Sequence, residues 1–515
     1  MSAPGIRRDG TLFDGREHTD GQWVRWQRGK PRKMGGYNQV SRRLSGIVRG
    51  LDAFPDDGNI YVRMGSQSVL EVVTVNASTG VATVVSDVTP AAFATSDNNM
   101  WQFAQMFNAT TDIETGDMYS LAHATPSAMD ITSETDAPVY YGAIRGTSAF
   151  TAITSSSVAG GICVLHPYLC IFGADGYFAN SVANLPLDMT GSGSNSARIT
   201  AKKLVRGMAV RGGAGQAPAG LLWSLDSLIR ATYIGGSPVF DFDTISDSID
   251  IIAANSVVEY GGVFYWIGIE RFMMFNGVVQ DLPNPMNSNF FFDNLNWDYA
   301  NTIFSFKVRR FGEIWWCFPK GDSTYPDHAI VFNVTERTWY DTPLPNGGRA
   351  AAVNIANYRY PLMSGVDPDD ATSKTILWQH EIGVDEVSGS PVQTKAIRSF
   401  YETGIISAVR PEEGGKPTNR ALVVSLVEPD FVQTGDMTLT IVGRSVAQGG
   451  DVESSPRTFA AEPSMPAEET MGFKDVNYRE LRFRFESNVA GGNYQAGSPI
   501  AHVSPGTGTV LGKTA

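Results

Sequence analysis

Four aspartates crowd the run Phe240-Asp241-Phe242-Asp243-Thr244-Ile245-Ser246-Asp247-Ser248-Ile249-Asp250. Closely spaced carboxylates are what a calcium ion takes as ligands. The run lacks the central glycine and terminal glutamate of an EF-hand loop, so Asp241, Asp243, Asp247 and Asp250 read as a solvated, turn-rich stretch. Asp367-Pro368-Asp369-Asp370 reads as another surface turn. The six histidines, 18, 123, 166, 328, 380 and 502, stand singly, with no His-x-x-x-His pair. His166, before Pro167 in an apolar run, reads as a packed side chain. No Gly-x-Ser-x-Gly elbow occurs to raise a nucleophile. Gly212-Gly213-Ala214-Gly215 lacks the third glycine of a dinucleotide fingerprint and has no βαβ pattern around it. Trp315-Trp316 could stack on a sugar ring. Neighbouring residues of a strand point to opposite faces, however, so at least one of the two belongs to a core. The sequence therefore predicts no catalytic group, no metal site and no cofactor.

Charge is the stronger signal. The chain carries a net −13, yet residues 1–50 hold eleven Lys/Arg against four Asp/Glu, while the remainder holds 29 against 49. That asymmetry predicts a basic arm that docks on an acidic neighbour, joined to an acidic body. The candidate docking residues are Arg7, Arg8, Arg25, Arg28, Lys30, Arg32 and Lys33. Replacing several of them by Ser should then weaken docking without unfolding the protein. An acidic body argues against a reader of DNA sequence, though not against a protein that DNA slides past. Cys163, Cys170 and Cys317 lack zinc spacing, and their sparse, odd count fits folding in a reducing cytoplasm. The N-terminus carries Arg7, Arg8 and Asp9 with no apolar core behind them, so no secretory signal is read. No window approaches the apolar length of a membrane span.

The elements that would hold such residues are strands. Glycine is 53 of 515 residues and aromatics are 11%, a balance of turn formers and pleat fillers. Val263-Phe264-Tyr265-Trp266-Ile267 and Phe272-Met273-Met274-Phe275, with Asn276-Gly277 as a turn signal, form a dense aromatic hairpin. A looser copy runs from Leu169 to Phe178. Further pairs are read at Asn59–Gly65 with Val69–Val73, then Val72–Asn76 with Val81–Val85. Others follow at Leu221–Ser224 with Ile229–Ile234, Ile303–Phe306 with Ile314–Phe318, and Ala329–Asn333 with Thr338–Tyr340. Ile376–Trp378 closes the series. Comparable strands recur about every 40–55 residues, the length of a four-stranded propeller blade. Residues 86–135 show little pattern, and a short helix is read near Asp293–Tyr299. The sequence thus predicts an all-β chain: a basic N-terminal arm with one short strand over 1–49, an irregular β-propeller of about six blades over 50–390, and a small antiparallel β unit with a flexible tail over 391–515. A β-sandwich with long loops is the competing architecture. In the last unit Leu481, Phe483 and Phe485 should point inward, and Arg482, Arg484 and Glu486 outward.

Several of these segments together resemble the tail nozzle proteins of short-tailed bacteriophages, the tail tubular protein B or packaged-DNA stabilisation group. The similarity runs through Leu222-Trp223-Ser224, Pro238-Val239-Phe240, Asn255-Ser256-Val257-Val258 and Gly261–Gly268. It continues in Glu313-Ile314-Trp315-Trp316-Cys317-Phe318-Pro319 and Val331–Trp339. Both ends take part, through Asp20–Trp26 with Gly29–Tyr37 and through Arg479–Asn488 with Gly491-Gly492. Cys317 departs from the pattern, where another aromatic is expected. The resemblance implies a structural, non-enzymatic virion protein, assembled in the host bacterial cytoplasm. It implies a homo-hexameric ring below the adaptor on the portal side, next to tail fibre or needle proteins, conducting and retaining the double-stranded genome. A host-receptor-binding tail protein and a glycan-cleaving propeller enzyme are the alternatives.

Overall fold

The computed structural model describes residues 2–11, 15–40, 44–109, 117–126, 130–210, 218–355, 357–367, 370–407, 420–444, 449–461, 471–472 and 477–509. The glycine-rich run at 212–215, the linker at 410–415 and residues 368–369 of the second aspartate turn lie outside them. The chain is all-β, with 54% strand against 6% helix. Among the described residues its strands form many small, mostly antiparallel sheets, none of which closes on itself.

Six four-stranded meanders follow one another along the chain. They begin at Val48–Asp56, Met100–Asn108, Gly161–Leu165, Leu204–Ala209, Val258–Tyr260 and Phe304–Val308. A seventh sheet starts at Arg349–Val353 and continues through Leu362–Asp367 and Asp370–His380. Its next strand, Tyr37–Gln39, comes from near the N-terminus and pairs antiparallel with Asp370–His380. The opening strands of the sheets lie side by side in chain order, from Val48–Asp56 through Met100–Asn108 and Gly161–Leu165 to Leu204–Ala209. The short turn Ala254–Ser256 takes the next place, against both Leu204–Ala209 and Phe304–Val308. Phe304–Val308 touches Arg349–Val353, which returns to contact Val48–Asp56.

This stacking explains the dense aromatic hairpin. An exposed sheet face would impose alternation of apolar and polar residues, but a sheet packed on both faces tolerates a continuous apolar run. In Val263–Ile267, Phe264 and Trp266 pack on Leu221 and Trp223 of the fourth sheet. Tyr265 and Ile267 pack on Ile314, Trp316 and Phe332 of the sixth. Residues Gly268–Arg271 turn the hairpin, and Asn276-Gly277 turns from Phe272–Phe275 into the following strand, Val279–Asp281. The patternless region holds two long strands, Met100–Asn108 and Asp117–Thr125, paired along their length. Their polar residues hid them: Gln102 donates to the Gly160 and Val205 carbonyls between sheets, so it is buried at 4% exposure. The short helix is displaced from its expected position, spanning Ser288–Asn294, with a 3-10 turn at Trp297–Thr302.

Both expected boundaries are crossed by strand pairing. Among the described residues, the N-terminal segment holds seven short strands rather than one. Asp20–Gln22 pairs with Ser399–Glu402, and Lys30–Lys33 meets Asn493–Ala496. A single core joins Trp23 and Trp26 to Trp315 and Tyr340, to Met363 and Trp378, and to Leu439, Phe483 and Phe485. Strands of two to four residues are too short to show a period, so pairing partners far along the chain define them. The tail also differs from expectation, since Ile500–Thr509 is a strand paired with Arg420–Glu428. In Glu480–Ser487 the inward residues are as expected, but Arg482 is buried too, because Glu402 and Asp451 cover its face at 2.9 and 2.6 Å.

Candidate functional site

The candidate docking cations do not form a free patch. Arg25, on Val24–Gln27, is 1% exposed at the centre of a buried ionic cluster. Its Nε lies 2.8 Å from Glu313 Oε1, and its Nη1 donates to Glu381 Oε2 at 2.7 Å. Glu313 is itself fully buried and accepts from Trp315 Nε1 at 2.9 Å and from the Tyr340 hydroxyl at 2.6 Å. The Phe311 ring lies 3.9 Å from the Arg25 guanidinium. Burial alone would lower the Arg25 pKa, but the two carboxylates outweigh it and hold the guanidinium firmly charged. Burial pushes the Glu313 carboxyl up, and Arg25 pulls it back only in part.

The other cations have similar internal partners. Arg8 donates to Asp341 at 2.9 Å and sits 2.7 Å from Asp20. Burial would raise the Asp341 carboxyl, yet Arg8 and His328 hold it down at about 2. Arg7 pairs with Glu17 at 2.9 Å. Lys33 is buried and donates to the Gly492 carbonyl at 2.7 Å, with its pKa lowered to about 8 by burial. Lys30 donates to Ser498 Oγ at 2.6 Å, and Arg32 to Gln27 Oε1 at 2.7 Å. Among the seven, Arg28 alone has an exposed side chain, while its backbone N–H donates to Glu336 at 2.6 Å. The seven residues expected to dock therefore do not share one exposed face: Arg25 and Lys33 are buried, and Arg8 already holds two carboxylates. Sequence reading missed the acceptors Glu313, Glu381 and Asp341. The signal was available for two of them: Glu313 and Asp341 stand inside apolar aromatic strands, where a carboxylate must find a cation or proton donors.

The other candidates resolve plainly. Asp241 and Asp243 lie exposed on the outer strand Phe240–Ser246, and Asp250 is tied to Arg271 at 2.7 Å. Among the described residues no group of three or more His, Cys, Asp or Glu is placed to hold a metal ion. Trp315 and Trp316 are both buried, in different cores on opposite faces of their strand. Cys163 and Cys170 are buried directly opposite each other. His166 is exposed in a turn rather than packed. A cavity of about 260 Å3 is lined by both the N-terminal segment and the C-terminal sheets, with Tyr401, Phe483 and Phe485 as an apolar wall and His18, Lys30 and Ser498 on the other sides. A second cleft of about 260 Å3 opens beside Phe311 and Tyr358. No helix among the described residues is long and apolar enough to cross a membrane.

One buried histidine gives a pH signature. His123 is fully buried, with Nε2 3.0 Å from the Val158 carbonyl, and burial pushes its pKa from 6.5 down to about 4. Between those values the unfolded chain takes up a proton that the folded ring refuses. Its contribution to stability is therefore complete above the unfolded value and is lost as pH falls toward the folded one, with about 2 kcal/mol gone near pH ~5. His123→Gln should lose about 2 kcal/mol less than the parent between pH ~7 and ~5 in parallel urea titrations. Equal losses would rule out His123 as a source of acid sensitivity.

No protein-family model matches the chain, and no curated protein matches it either.

Proposed function

We propose that this chain is a structural nozzle subunit of a short-tailed phage virion, built around an irregular propeller and assembled into a hexameric ring that conducts and retains the genome. One observation supports the propeller reading above the others. The opening strands of successive sheets lie side by side, and the last, Arg349–Val353, returns to the first, Val48–Asp56. A shared core between the seventh and first sheets, with Leu362 and Leu377 against Val48 and Val62, supports closure of the ring of sheets. The N-terminal strand Tyr37–Gln39, added to the final sheet, would tie the two chain ends together there. Closure of this kind is how radially repeated sheets protect their edges.

The nozzle reading rests on the sequence resemblance together with this arrangement. Residues after 50 carry 29 Lys/Arg against 49 Asp/Glu. A wall of that sign repels DNA and lets it slide. On this reading the partners are further copies of the chain, an adaptor ring on the portal side, tail fibre or needle proteins, and DNA in passage. Electron microscopy of particles carrying the protein should show a six-fold ring on the tail axis. A peripheral spike, or trimers of the purified chain, would overturn the proposal.

A further inference from the structure

We propose that the cleft beside Phe311 is a binding site for a phosphate oxyanion. This goes beyond the nozzle reading and does not depend on it. The cleft opens where two neighbouring strands, Phe304–Val308 and Arg349–Val353, run out into their turns. The first turn presents Arg309 and Arg310, and its shape is set by Gly312 in the left-handed region at φ +71°. The second turn presents Arg359, and Asn354 Oδ1 joins the two by accepting from the Lys307 backbone N–H at 3.0 Å. Arg309, Arg310 and Arg359 are all exposed, and among the described residues none of them has a carboxylate partner. The two other charged groups that line the cleft are committed, Glu381 to Arg25 and Lys307 to Glu259 at 2.8 Å.

Cations gathered without counter-charge are costly, and the wider body is strongly acidic, so carboxylates to neutralise them are abundant elsewhere in the chain. The positive field is felt nearby. Arg32, 5.6 Å from the Phe311 ring, has its pKa lowered first by burial and then by Arg310 and Arg25. Guanidinium groups present paired N–H donors that match phosphate oxygens two at a time. Arg310 is already braced against the Phe311 ring at 5.1 Å, and Arg359 against Tyr360 at 5.4 Å, which limits the ordering each must undergo on binding. A volume of about 260 Å3 suits a phosphate or diphosphate group, and lies just below the roughly 300 Å3 at which pockets for larger organic ligands begin.

The shared chemistry could come from a free phosphate compound or from a nucleic-acid backbone. Calorimetric titration of the full chain with inorganic pyrophosphate, and separately with a short DNA duplex, distinguishes them. Pyrophosphate binding that weakens roughly tenfold or more in Arg309→Ser/Arg310→Ser/Arg359→Ser assigns a small phosphate ligand. Duplex binding lost in the same variant, and falling steeply with added salt, assigns a phosphodiester backbone. Binding of neither probe, equal binding by the variant, or binding of poly-glutamate alone would overturn the proposal. These side chains are exposed, so the variant's urea midpoint should match the parent's and separate loss of the site from loss of the fold.

Discussion

Arg25→Met should destabilise the protein by about 3–5 kcal/mol, because it strands two carboxylates rather than merely removing a cation. Glu313 has no exposure, and the Glu381 side chain has 14%. Tyr340 and Trp315 still donate to Glu313, but neither supplies positive charge. The cluster also fastens the N-terminal strand Val24–Gln27 to the sixth sheet, so its loss should release contacts of Trp23 and Trp26 with Trp315 and Tyr340. Urea titration gives the measurement, and the double variant Arg25→Met/Glu313→Gln should regain part of the loss, since it removes one stranded charge. A single variant within about 0.5 kcal/mol of the parent would show that the cluster is not a stabilising lock. The Ser replacements expected from the sequence to spare the fold therefore divide. Arg28→Ser should be silent in stability, and Arg25→Ser should not.

Trp316→Ala should cost about 3–5 kcal/mol as well, through a cavity between the fifth and sixth sheets. Trp316 is fully buried, stacked on Trp339 at 5.9 Å and tilted against Phe272 at 5.6 Å, with its Nε1 donating to the Ser256 carbonyl at 2.9 Å. Three partners on three different segments leave the site little room to collapse. Trp297 is the control, since it is 46% exposed. Its replacement by Ala should fall within about 0.5 kcal/mol of the parent. If the two variants unfold at the same urea concentration, the packing between these sheets contributes less than the geometry requires. A strong loss at Trp316 would also count against a ligand-stacking role for the Trp315-Trp316 pair.

The hairpins were legible because their chemistry is local. Val263–Ile267 and residues 314–318 are continuous apolar runs with glycines in the flanking turns, and no helix period competes with them. Strands such as Met100–Asn108 were not legible, because Gln102 and Gln105 are polar residues whose partners lie in other sheets. The arginine cleft was equally hidden. Arg309-Arg310 and Arg359 are separated by about fifty residues of chain, and only the side-by-side packing of two different sheets brings them to one opening.

The sequence by itself determined that this chain is all-β, where its longer hairpins fall, and that cations concentrate in the first fifty residues. Those properties follow from side-chain shape, turn chemistry and composition, which act over a few residues. Tertiary structure decided what the cations do. Arg8 and Arg25 meet Asp341 and Glu313 more than 280 residues away, and a buried charge is fixed by whichever opposite charge the fold delivers to it.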